Sequence, residues 1–197
     1  MRASTRREFV AGPAGRVECA VDAPDRVPRG AALIAHPHPQ FGGTLDNKVV
    51  QTLARAFVEL GYEAWRPNFR GVGQSEGTYD EGRGEVDDLF SIFKRIASEK
   101  TVLAGFSFGA AIQAKLATRV HSERLVLVGV AVTNFDVPKV PEGTIVIHGE
   151  KDETVPLAAV LDWARPQDLP VMLVPGADHF FHRKLHILRS IVRSGWK

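Results

Sequence analysis

T-V-L-A-G-F-S-F-G-A-A-I-Q-A-K-L-A, residues 101–117, decides how the rest of the chain is read. Thr101 to Ala104 is a short apolar run of strand type, and the alanine-rich stretch after Gly109 has helical propensity. Between them stands Gly105-Phe106-Ser107-Phe108-Gly109, a G-x-S-x-G pattern. A sharp strand-to-helix turn holds its central serine in a strained conformation, and only small neighbours let the backbones pass. The turn lifts Oγ of Ser107 above the sheet at the N-terminus of the helix, where unpaired N–H groups and partial positive charge collect. Ser107 is therefore a candidate nucleophile, and a developing oxyanion would be stabilised at this helix end.

Outward from this turn, strand and helix alternate from residue 31 to the end of the chain. Strands are predicted at 31–35, 62–68, 101–104, 125–132, 144–148 and 171–174. Helices are predicted at 46–60, 82–98, from Gly109 to about residue 119, from Pro156 with Thr154 as its cap, and at 180–194. Residues 5–10 and 16–22 flank Gly12-Pro13-Ala14-Gly15 and read as an antiparallel hairpin. The apolar run Leu125 to Val132 suits the centre of a sheet covered on both faces. The fold class is α/β: a mostly parallel central sheet with helices on both faces, in a single domain over 1–197. Ligands in such sheets bind beyond the carboxyl ends of the strands.

The 197 residues carry 44% hydrophobic and 24% charged side chains, an ordinary globular composition that excludes a disordered chain. The net charge of +2 excludes a single-sign field large enough to imply nucleic acid. No run approaches the roughly 20 apolar residues of a membrane span, and MRASTRREFV lacks the apolar core of a signal peptide. Cys19 is the only cysteine, so no intrachain disulfide can form. These features predict a cytoplasmic protein with neither nucleic acid nor membrane as partner. Arg183, Lys184, Arg189, Arg193 and Lys197 make the last helix basic, which reads as a solvated face favoured by the helix dipole.

A nucleophilic serine needs a base, and the base an orienting acid. In α/β sheets with this turn the chain order is Ser, acid, His. Asp152 follows a strand in His148-Gly149-Glu150-Lys151-Asp152-Glu153-Thr154-Val155-Pro156, and His179 follows the last strand in Gly176-Ala177-Asp178-His179-Phe180-Phe181. Each gap leaves room for one strand–helix unit. Glu150, Glu153 and Asp178 compete for the acid role; the loop before the helix favours Asp152. The histidine pairs 36/38 and 182/186 lack the carboxylate of an H-E-x-x-H arrangement, so no metal is expected.

HGEKDETVP and GADHFF resemble the acid and histidine loops of the α/β-hydrolase superfamily, and Arg66 to Ser75 resembles its R-G-x-G-x-S loop. With HPHPQFGGTLDNKVV, the set is similar to small lid-less bacterial α/β hydrolases related to dienelactone hydrolases and serine aminopeptidase-like proteins. The resemblance covers roughly residues 30–190. It implies the α/β-hydrolase fold, a Ser107–Asp152–His179 triad and no cofactor. The cysteine nucleophile of dienelactone hydrolases would stand at the elbow, where this chain has Ser107. The resemblance also makes His36 to Gly43 the first oxyanion loop, whose backbone supplies one donor while the Phe108 N–H supplies the other. Pro37 and Pro39 have no N–H; counting from the strand favours His38 as donor, and counting back from Gly42 favours Gln40. Only about a dozen residues, Thr133 to Gly143, stand where relatives insert a cap, so no cap domain is expected. The expected activity is hydrolysis of a small carboxylic ester or thioester, with a small molecule as partner and the oligomeric state open. A cofactor-free perhydrolase, an acyltransferase and a non-catalytic binding module are the alternatives.

Overall fold

In each predicted strand the apolar side chains alternate between two faces, and each face needs helices to cover it. The computed structural model describes residues 5–98 and 100–196. Among these residues eight strands form one sheet: β1 (Thr5–Gly12), β2 (Gly15–Asp22), β3 (Gly30–Ala35), β4 (Tyr62–Pro67), β5 (Thr101–Phe106), β6 (Arg124–Val128), β7 (Ile145–Gly149) and β8 (Val171–Val174). Their spatial order is β1-β2-β4-β3-β5-β6-β7-β8. β1 and β2 form an antiparallel hairpin, β2 joins β4 antiparallel, and every pairing from β4 to β8 is parallel.

Helices α1 (Lys48–Glu59) and α5 (Leu185–Ser194) cover one face. Leu53 and Phe57 of α1 and Leu188 and Val192 of α5 pack there on Ile34, Ala104 and Val126. Helices α2 (Arg83–Ile96), α3 (Phe108–Ala117) and α4 (Leu157–Ala164) cover the other, where Leu89, Ile112 and Val160 join Leu33, Leu103 and Leu127. Asn47 caps α1 by accepting the N–H groups of Val49 and Val50. No helix among the described residues is long and apolar enough to cross a membrane.

Beyond shifts of one or two residues at other element ends, three boundaries differ from the sequence expectation for a physical reason. β6 ends at Val128, because Gly129 adopts φ 52° and Val130 and Ala131 turn back over the β5 exit. Pro156 precedes α4 as its cap residue rather than opening it, and Thr154 is not the cap. α5 begins at Leu185, not near 180: Phe181 and Arg183 take φ of 54° and 60°, which no helix accommodates, while Phe181 stays buried in the core. The prolines of residues 36–43 exclude an α-helix, yet Pro39–Phe41 closes one 3₁₀ turn, with proline at its first position.

The R-G-x-G-x-S loop is a buried polar clamp. Arg70 donates a forked pair of hydrogen bonds to Asp88 at 2.7 and 2.8 Å and a third to Gly84 O at 2.8 Å. Asn68 accepts from Leu45 N–H and donates to Glu18, and Ser75 Oγ–H donates to Asn68 O. Asp88→Ala strands the buried guanidinium, and its expected cost is about 3–5 kcal/mol of unfolding free energy. Urea denaturation measures it; a loss below about 1 kcal/mol, the level of an exposed pair, would contradict this account.

Candidate active site

The chain order reverses between β3 and β5: after β3 the sheet grows toward β4, and from β5 toward β8. The loops leaving these two strands therefore face one another across a crevice. Ser107 stands where β5 becomes α3, with φ 55° and ψ −118°. A non-glycine residue in that region costs about 1–3 kcal/mol and persists only where its surroundings impose it. Here they do. A Cβ on Gly105 would lie 2.4 Å from Gly109 O, and one on Gly109 would lie 2.4 Å from the carbonyl oxygens of Ala35 and His36. Ser107 N–H also donates to Val128 O at 2.9 Å, tying the elbow to β6.

Asp152 and His179 converge on this serine from β7 and β8. Lys151 N–H donates to Ala177 O at 2.8 Å, and Gly149 leaves no room for a Cβ against the same carbonyl, so the two loops are in contact. Asp152 Oδ1 accepts the N–H groups of Thr154 and Val155 at 3.0 and 2.8 Å. Its Oδ2 lies 2.7 Å from His179 Nδ1. A carboxylate only accepts, so Nδ1 carries the proton and Nε2 offers a lone pair. That lone pair lies 3.0 Å from Ser107 Oγ. The competing acids point elsewhere. Glu150 accepts from Gly176 N–H, Asp178 pairs with His182 at 2.7 Å, and Glu153 is exposed.

His148, the penultimate residue of β7, is fully buried. Its Nε2–H donates to Val155 O at 3.0 Å and lies 3.6 Å from Asp152 Oδ2, so it braces the turn that aims the acid. Burial lowers its pKa, against the opposing pull of Asp152. Sequence reading named no role for His148; its signal was a histidine four residues before the acid.

Across the crevice, Phe108 opens α3 with its N–H outside the helical ladder. Of the loop positions left open by the sequence, Gln40 directs its N–H to His38 Nδ1 at 3.2 Å, and Phe41 directs its own to His38 O. Gly42 and Gly43 N–H are also engaged within the loop, whereas that of His38 has no acceptor among the bonds formed there. The loop rests on His36, whose Nδ1–H donates to Pro37 O at 2.6 Å and whose Nε2 accepts Phe69 N–H at 3.0 Å.

Burial holds the His36 pKa down at about 4. An unfolded histidine titrates near 6.5. Below that value the unfolded chain takes up a proton that the native chain refuses, so the stabilisation is present above pH 6.5 and lost as pH falls toward 4. The expected loss attributable to His36 is about 3 kcal/mol by pH 4. Urea unfolding at pH 7 and pH 4.5 reads it, and His36→Gln should flatten the difference; an undiminished slope in that variant removes His36 as the cause.

Ser107, Asp152 and His179 sit just below the surface, at 8%, 6% and 5% exposed. A cavity of about 1060 Å³ lies elsewhere, beside α1, lined by Asp22, Arg26, Asp46, Arg55, Glu59 and Arg66 among others. It holds none of Ser107, Asp152 and His179; of its charged lining, Arg66 pairs with Asp22 at 2.9 Å, and Glu59 with Arg189 and Arg193. The β6–β7 connection, which contains Thr133 to Gly143, is tied down by Trp163 Nε1–H to Val137 O and by Val140 N–H to Gln167 Oε1.

Comparison with known proteins agrees with this architecture. The family described as serine aminopeptidase, S33, matches by its sequence model over residues 29–139. An uncharacterized protein of Rickettsia prowazekii is 30% identical over 192 residues, covering 88% of this chain and 81% of that protein. An α/β serine hydrolase without a lid from Xanthomonas campestris superposes with a TM-score of 0.90 at 36% identity, covering 99% of this chain and 94% of its own. An α/β serine hydrolase homologue from Coxiella burnetii gives 0.91 at 36%, covering 98% and 97%. The elbow, the strand order and these likenesses together place the chain in the serine aminopeptidase S33 family of the α/β-hydrolase superfamily.

Proposed function

We propose that the protein is a serine esterase that hydrolyses a small carboxylic ester or thioester through Ser107, His179 and Asp152. The observation that carries this reading is the continuous line from Ser107 Oγ to His179 Nε2 at 3.0 Å and from His179 Nδ1 to Asp152 Oδ2 at 2.7 Å. His179 Nε2 takes the proton as Oγ attacks the carbonyl carbon. The N–H groups of Phe108 and His38 receive the tetrahedral oxyanion, each contributing about 3 kcal/mol. The proton then passes to the leaving oxygen or sulfur. Water attacks the acyl-serine, gives its proton to His179, and releases Ser107 and the acid. None of these steps calls on a cofactor.

Ester rather than N-terminal peptide chemistry is supported by the acids around the triad. An aminopeptidase needs a carboxylate free to bind the substrate's ammonium group. Asp178 is held by His182, Glu150 by Gly176 N–H, and Asp152 by His179 and two backbone N–H groups; of the acids in these two loops only Glu153, exposed to solvent, has a side chain with no partner among the described residues. The test is labelling by a fluorophosphonate probe together with turnover of p-nitrophenyl esters from acetyl to dodecanoyl. Labelling confined to Ser107, with turnover of the shorter esters, is expected. A protein that neither labels nor turns over is a binding module that kept the fold, and the reading fails.

A further inference from the structure

Next to the proposed oxyanion donors lies a group of rings that the chemistry above does not use. The His38 imidazole stands 4.8 Å from the Phe41 ring, 4.9 Å from Tyr79, 4.9 Å from Phe108 and 5.8 Å from Phe135. Phe108 also packs edge-on against Phe135 at 4.9 Å and 65°. Phe108 is buried, but His38, Tyr79 and Phe135 are half-exposed and Phe41 is 86% exposed. These rings come from three separate loops: the one after β3, the one before α2 and the one after β6. A single loop tip carrying one exposed phenylalanine would need no explanation; three loops converging on one aromatic face do.

We propose that His38, Phe41, Tyr79 and Phe135 form the acyl-side subsite, and that it selects a planar, aryl-bearing acyl group over a straight alkyl chain. The inference rests on Ser107 as nucleophile. The leaving atom must lie toward His179 Nε2, because that nitrogen delivers its proton. Phe180 flanks His179 on that side, at 5.2 Å and 84°. With the oxyanion on the Phe108 and His38 N–H groups, the acyl substituent extends away from His179, over the rings that surround His38.

Three features favour an aryl group there. The rings meet at 36–65°, so they offer both edges and faces to an incoming ring. Phe41 is 86% exposed and Tyr79 and Phe135 are half-exposed, so the face is open, and a long alkyl chain laid on it would lose rotamer freedom for little burial. Nor is the patch's own basic side chain a cation for an anionic acyl group. His38 Nε2 lies 3.1 Å from Tyr79 Oη, and burial favours its neutral form.

The experiment keeps the alcohol small so that only the acyl group can reach the rings. Hydrolysis of methyl phenylacetate and methyl hexanoate is followed by proton release, alone and in competition. We expect kcat/KM to favour the aryl ester by about tenfold. Phe41→Ala and Phe135→Ala should each shrink that ratio several-fold, chiefly through KM for the aryl ester. A ratio near one in the wild-type protein overturns the subsite, as does a loss shared equally by both esters in the variants. Conversion of a dimer to a monomer by Phe41→Ala at an unchanged ratio also overturns it, since the face then serves a second copy of the chain. Phenylacetate binding to Ser107→Ala, read by ring-proton NMR shifts and compared with hexanoate, reports the subsite without turnover. Absent fluorophosphonate labelling with phenylacetate still bound would reject the nucleophile and retain the subsite; labelling with no aryl preference would do the reverse.

Discussion

Ser107→Ala should lower kcat for an activated ester by about a millionfold while leaving the fold in place. The size of the effect follows from geometry. Oγ is the one group that His179 Nε2 faces, at 3.0 Å, and alanine offers nothing to attack the carbonyl or to carry the acyl group. What survives is the contribution of the oxyanion donors and binding, about 10³–10⁴ over water. The scaffold is indifferent to the change: the elbow is held by the Ser107 N–H bond to Val128 O and by the close passages at Gly105 and Gly109, none of which involves the hydroxyl. Steady-state assay of purified protein, with circular dichroism as the control for folding, checks both halves. A folded variant that keeps a tenth of its activity would dismiss Ser107 as the nucleophile.

Asp152→Asn is the second large effect, about 10⁴ in kcat. The side chain changes by one atom, yet the hydrogen-bond logic inverts. Oδ1 of Asp152 accepts two backbone N–H groups, so an asparagine must keep its oxygen there and turn its amide nitrogen toward His179. An amide N–H facing Nδ1 favours the tautomer with the proton on Nε2, and that nitrogen can no longer receive the proton of Ser107. Glu150→Gln and Glu153→Gln should change kcat less than about threefold, within the range of surface substitutions away from the chemistry. Measured kcat for the three variants separates them; a loss at Glu150 or Glu153 rivalling that at Asp152 would reassign the acid.

Much of this was legible along the chain because the informative residues stand directly after strands. Gly105 and Gly109 are needed where carbonyl oxygens pass within van der Waals distance, and that requirement is written in their lack of a side chain. Asp152 and His179 each stand in the loop after a strand, with α3, β6 and β7 between Ser107 and Asp152, and α4 and β8 between Asp152 and His179. Three things were less accessible. The start of α5 was set too early because Phe181 repeats the apolar spacing of the helix, although its side chain reaches the core from a left-handed turn. The choice between His38 and Gln40 depends on which N–H the loop's own turn consumes, a matter of local hydrogen bonding with no compositional trace. The approach of Tyr79 and Phe135 to His38 depends on how three loops meet in space, which no local pattern encodes.

The three aligned side chains of the candidate site are divided unequally across the sheet. Ser107 stands at its centre, whereas Asp152 and His179 hang from β7 and β8, the last two strands on one side. β8 has four residues, a single neighbour, and Met172 and Leu173 exposed at 43% and 42%. An edge so thinly covered opens by itself at lower free energy than the centre. Detachment of β8 would carry His179 out of reach of Ser107 while β3, β5 and β6 stay paired and the helical signal is nearly intact. Heat should therefore extinguish turnover before it melts secondary structure, and an activity melt running several degrees ahead of the far-ultraviolet melt would register the order. Thermal tolerance of this enzyme is then a property of its rim, and a graft that covers or pairs β8 would raise the working temperature without touching the core.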